Sequence, residues 1–185
     1  VIYPTKVEIN GNIYPINTDY RVALKCFEII NDNDIGDMER TYAVIYKLFG
    51  FIPSDEEIGM FIEKVSLYLG CGETQDIQQS KNRDMDINHD MKYIIASFRS
   101  DYNIDIVNEN MHWYEFVDLI SGFTSKSIMS RIRDIRNYDL SEVRDPKLRR
   151  KIIEAQESVA LPKEYTQEQI EVLEEFESLF EVGGE

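Results

Sequence analysis

The chain has 185 residues, enough to bury a core without staples, and its two cysteines, Cys26 and Cys71, are too few for a disulfide framework or a cysteine-rich zinc site. A formal net charge of −15, from 35 acidic and 20 basic residues, opposes bulk attraction to nucleic acid or anionic lipid and favours solubility. No run approaches 18 consecutive apolar residues and the first residues lack a signal-peptide pattern, so the expectation is a cytoplasmic protein, neither membrane-spanning nor exported.

The start alternates in character. Val7-Glu8-Ile9 and Ile13-Tyr14-Pro15-Ile16 flank Asn10-Gly11-Asn12, and Asn-Gly supplies the positive φ of a tight turn. A small β-hairpin is expected, with the Pro15 strand at an edge. The pattern then shifts to period 3.6. A first helix is expected after the cap candidate Thr18, placing Ala23, Phe27 and Ile30 on one face. A second, over about 37–49, aligns Tyr42, Ile45 and Phe49 ahead of Gly50.

The third helix carries the clearest signals. Ser54 and Glu57 have capping-box spacing behind Pro53, and Ile58, Phe61, Ile62, Val65 and Leu69 make a broad apolar stripe ending at Gly70-Cys71-Gly72. Residues 73–88 are mostly polar and read as a mobile loop. Helical pattern resumes with Ile95, Phe98 and Tyr102, turns near Asn103, and continues with Trp113, Phe116, Val117 and Ile120, a spacing that puts Trp113 in the core. Gly122 ends that helix, and Ile128, Ile132 and Ile135 mark another. Asp145-Pro146 then gives an N-cap and a first-turn proline before a stripe of Leu148, Ile152, Ala155 and Val159, expected to be buried.

Pro162 interrupts the chain, and Thr166 with Gln169 has capping-box spacing before Leu173, Phe176 and Phe180. Residues 164–185 hold eight glutamates and no Lys or Arg. The expected organisation is therefore an all-α, multi-helix domain with an N-terminal β-hairpin over 1–161, followed by an acidic amphipathic helix over 162–185. Leu173, Phe176 and Phe180 are its candidate partner-binding residues.

Chemistry is weakly encoded. Asp84, Asp86, Asn88, His89 and Asp90 cluster, but an EF-hand counted from Asp84 would place His89 at the glycine position and Ile95 at the glutamate position. A solvated acidic loop capping the next helix explains them without metal. His112 beside Trp113 has no accompanying G-x-S-x-G, H-E-x-x-H or phosphate-binding glycine loop. At Cys71, the negative end of the preceding helix should raise the thiol pKa and blunt reactivity. No catalytic residue, cofactor or metal is expected, and the protein is not expected to be an enzyme. Residues 131–151 concentrate Arg131, Arg133, Arg136, Arg144, Lys147, Arg149, Arg150 and Lys151 against four acids, yet lack interleaved aromatics or a DNA-binding module. Nucleic-acid binding is thus a subordinate alternative, beside an internal match to the acidic C-terminal segment.

Tyr14-Pro15-Ile16 leading into Asp19-Tyr20-Arg21, Gly70-Cys71-Gly72, Ile94-x-Ala96-x-Phe98 with Tyr102-x-Ile104-Asp105, Met111-His112-Trp113-Tyr114-x-Phe116 and Arg131-x-Arg133-x-x-Arg136 occur in that order. As a set spread over 14–161, they resemble the bacteriophage gene-product-fifteen family of siphophages and prophages of Gram-positive bacteria. The family pattern has a second tryptophan where this chain carries Tyr114. The resemblance implies a tail-assembly chaperone in the host bacterial cytoplasm that binds and solubilises the tape-measure protein. The major tail protein is a further implied partner and self-association is left open; neither nucleic acid nor membrane is implied. A structural or connector protein of the tail is the main alternative.

Overall fold

Residues 2–73 and 84–162 are described in the computed structural model. The chain divides into two compact units, one over Val1–Asn137 and one beginning at Tyr138.

In the first unit, β1 (Lys6–Ile9) and β2 (Asn12–Pro15) form an antiparallel pair, with Val7 opposite Tyr14 and Glu8 opposite Ile13. Asn10 and Gly11 at the turn have φ of 51° and 77°, the two successive positive values that Asn-Gly accommodates. Pro15 lies at the end of the register, opposite Lys6, where its missing N–H costs least. Two strands cannot hold themselves, and Ile9 is buried against the helices.

Six helices follow in this unit: α1 (Tyr20–Ile30), α2 (Asp37–Phe49), α3 (Ile58–Leu69), α4 (Ile87–Tyr102), α5 (Trp113–Ser121) and α6 (Ile128–Arg136). α1 packs on α2 and α5, α2 on α3, and α4 on α5 and α6. A run of aromatic rings joins three of them. Tyr20 of α1 stacks on Phe116 of α5 at 4.4 Å, and Phe116 stacks in turn on Phe98 of α4 at 5.5 Å. Beside them Trp113, 3% exposed, meets Phe27 and Phe116 and donates its indole N–H to the Leu69 carbonyl at 3.1 Å. The expected core position of Trp113 is therefore observed, and its hydrogen bond ties α5 to the end of α3.

Several helix starts differ from expectation. Asp19, not Thr18, caps α1, accepting from the Arg21 amide at 2.9 Å, because the Thr18 carbonyl is engaged by the Trp113 amide. Ser54 and Glu57 do not form the expected capping box: Glu57 itself stands at the N-cap position of α3, without a side-chain cap bond. The Ser54 hydroxyl donates to the Glu57 carboxylate at 2.9 Å, closing a turn before the helix begins at Ile58. Glu39 does reach back to the Gly36 amide at the start of α2.

The apolar faces are also rotated by one position in places. Ile29 rather than Ile30 is buried in α1, Leu48 more than Phe49 in α2, and Ile94 more than Ile95 in α4; Ile62 is 42% exposed. At the end of α3 the left-handed residues are Cys71 and Gly72, with φ of 55° and 89°. Gly70 is required for a different reason, since a Cβ there would sit 2.4 Å from the Glu73 carbonyl oxygen.

The second unit contains α7 (Pro146–Ser158), capped as expected by Asp145 with Pro146 in the first turn. The expected burial of its stripe is not observed. No α7 residue is buried, Leu148 is 48% exposed, and Ile152, Ala155 and Val159 are half-buried. A lone amphipathic helix has no second layer to cover its face, and α7 is the one helix among the described residues of this unit.

Candidate functional site

The last turn of α1, the first half of α2 and the second half of α3 enclose an open groove of about 570 Å³. Val44, Ile45, Val65 and Leu69 form its buried floor, each under 10% exposed. Its walls are Phe27, Ile30 and Ile62, of which Ile30 and Ile62 are each 42% exposed. Among the described residues, these exposed branched side chains over a closed apolar floor are a surface left uncovered. Thr41, Ser66 and Gly70 keep parts of the rim low, and Asp37, Arg40 and Glu73 place charge around it.

Arg40 is already engaged. It pairs with Asp37 and donates to the carbonyls of Ile30 at 3.3 Å and Asp32 at 3.1 Å, where α1 ends. The guanidinium thus satisfies C-terminal carbonyls of α1 and fixes the α1–α2 connection. This groove was not read from the sequence. Its signal was the width of the α3 stripe: Ile58, Phe61, Ile62, Val65 and Leu69 cover more of the helix than the neighbouring α2 and β1 conceal.

The acidic cluster around residue 84 is brought together for structural ends. Asp84, expected to lie in a mobile loop, accepts from Arg133 at 2.9 Å and from Asn137 at 3.0 Å, while Asp86 caps α4 through the His89 amide. Asp90 is fully buried and accepts a bidentate pair from Arg136, both bonds at 2.7 Å. Burial alone would raise the Asp90 pKa, but the Arg136 guanidinium and the Asp86 amide hold it below the ordinary carboxylate value. Residues 84–88 are thus anchored to α6 or incorporated in the start of α4, whereas residues 74–83 of the expected loop lie outside the described residues. Among the described residues, no group of three or more His, Cys, Asp or Glu side chains is placed to hold a metal ion.

His112 caps α5. Its Nδ1 accepts from the Tyr114 amide at 3.0 Å, which leaves Nε2 to donate to the Pro4 carbonyl at 2.9 Å, and Tyr3 stacks on the ring. Both nitrogens are occupied in linking the N-terminal segment to α5. Cys71 is half-buried, and burial, followed by the charges of Asp118 and Glu73, pushes its thiol up to about 11. Burial pushes Cys26 up to about 12. The direction at Cys71 is the one expected from sequence, and desolvation is its largest cause.

The basic stretch over 131–151 is partly consumed locally. Besides Arg133 and Arg136, Arg149 donates to the Leu140 carbonyl and Arg150 pairs with Glu154. Leu173, Phe176 and Phe180, and the expected acidic helix that carries them, lie outside the described residues. Among the described residues no helix is long and apolar enough to cross a membrane.

Hairpin, helices and groove define an all-α domain with a small β-hairpin at its N-terminus and an apolar cleft across its first three helices. A family model described as Bacteriophage Gp15 protein matches residues 3–161. The chain belongs to this bacteriophage family. No curated protein and no solved structure matches it.

Proposed function

We propose that this phage protein acts by binding rather than catalysis, as a tail-assembly chaperone that holds the tape-measure protein in solution until the tail tube forms around it. The observation that carries the reading is the groove between α1, α2 and α3, with Ile30 and Ile62 exposed above a closed apolar floor. A long helical polypeptide with repeated apolar faces aggregates unless those faces are covered. A helix laid into a groove through side chains at i, i+3, i+4 and i+7 covers them without cofactor or energy source. Net charge of −15 supports the same role, because the resulting complex stays soluble.

Co-expression of a tape-measure fragment with the full chain tests the reading. The fragment is expected in the soluble fraction with the native protein and in the pellet with Ile62→Asp, which changes an exposed residue and should leave the fold intact. A fragment kept equally soluble by both proteins refutes the role of the groove. Mass spectrometry of mature particles is expected to lack the protein; its presence at fixed stoichiometry would make it a structural or connector component of the tail instead.

A further inference from the structure

We propose that the groove between α1, α2 and α3 selects a basic amphipathic helix: a segment of another polypeptide with lysine or arginine beside its apolar stripe. The inference rests on the groove reading above and specifies the charge of the occupant. Two features of the rim carry it. The negative end of α1 and the positive end of α2 meet at the groove and are bridged by the Asp37–Arg40 pair. Arg40, the one cation among the described residues lining the groove, is also bonded to the Ile30 and Asp32 carbonyls, so this side offers little net charge. On the other side α3 ends at Leu69 and brings the negative end of its dipole to the rim, and Glu73 adds a carboxylate beside it. The rim is therefore net negative, and an ammonium or guanidinium above the apolar floor would meet the Glu73 carboxylate.

The opposite charge would be disfavoured. A glutamate-flanked stripe would fill the same floor but face Glu73 and the C-terminus of α3. The groove therefore separates helices of equal hydrophobicity by the sign of their flanking charge.

Two synthetic helical peptides with the same leucine stripe at i, i+3, i+4 and i+7, one flanked by lysine and one by glutamate, test this by fluorescence anisotropy with the full chain. The lysine peptide is expected to bind at least about fivefold more tightly at low salt, with the gap narrowing as salt rises. Glu73→Gln should reduce that preference while leaving the glutamate peptide no worse, and Ile62→Asp should abolish binding of both. Equal affinity for the two peptides would overturn the charge selection and leave the groove reading standing. Failure of both peptides to bind would overturn the two together. A concentration-dependent dimer that disappears in Ile62→Asp, with neither peptide bound, would assign the groove to a second copy of this chain and likewise overturn the proposal.

Discussion

Trp113 and Cys71 sit close to residues that look chemical in the sequence, and at both the surroundings impose a structural role. Trp113 fills the space between α1, α3 and α5 and satisfies the Leu69 carbonyl. Trp113→Ala should lower stability by about 3 to 5 kcal/mol, from lost burial and a cavity. Chemical denaturation monitored by circular dichroism measures this; a variant as stable as the native protein would show that the indole is not part of the core. For Cys71, a thiol pushed up to about 11 is protonated at neutral pH. Only roughly a thousandth is thiolate at about pH 8, so alkylation by iodoacetamide should be far slower than for an unperturbed thiol and should accelerate as pH rises toward that value. Fast modification in the folded protein at about pH 7 would contradict the burial.

Between elements, the Asp90–Arg136 pair is the contact on which α4 and α6 depend most directly. Asp90 is fully buried, Arg136 is 7% exposed, and two parallel bonds of 2.7 Å hold them. The Asp86 amide donates to Asp90 and Arg136 donates to the Asp84 carbonyl, while the two helices also bury Ile94, Phe98, Met129 and Ile132 and a bond from the Met129 amide to the Ser97 hydroxyl. Removing one charge strands the other, so Asp90→Ala should cost about 3 to 5 kcal/mol. The sign of the pH effect follows from the direction of the shift. A carboxyl held below its unfolded value of 3.8 contributes stability that is present above that value and lost as pH falls through the lower folded value. Native protein should therefore lose stability on acidification below about pH 4. That component of the acid dependence should be missing in Asp90→Asn, and an unchanged acid profile would assign it to other carboxylates.

At the scale of the whole molecule, a net charge of −15 coexists with an open apolar groove, and the two properties pull association in different directions. Charge opposes contact between copies and is screened by salt, whereas burial on the apolar floor of the groove is not screened by salt but is sensitive to a single buried charge. Light scattering should therefore show any self-association increasing with ionic strength, and Ile30→Asp should suppress it if the groove is the contact. Self-association that is strongest at low salt would contradict this expectation and favour contacts between opposite charges.

Local chemistry made much of the architecture readable. Asn10-Gly11 determined the hairpin because few sequences tolerate two successive positive φ values, and Asp145-Pro146 determined the start of α7 because proline suits the first turn and aspartate caps it. The bounds of α2 and the burial of Trp113 also followed from a strong 3.6-residue period. The tertiary structure decided which of two adjacent apolar residues faces inward, as with Ile29 over Ile30 and Ile94 over Ile95, because rotating a helix by one position preserves its pattern while exchanging its contacts. It also decided the fate of the acidic cluster. Asp90 and Arg136 are 46 positions apart, and no local spacing announces their pairing. The groove depended on three helix ends meeting, so its walls were legible only as an apolar stripe on α3 wider than one neighbour could cover.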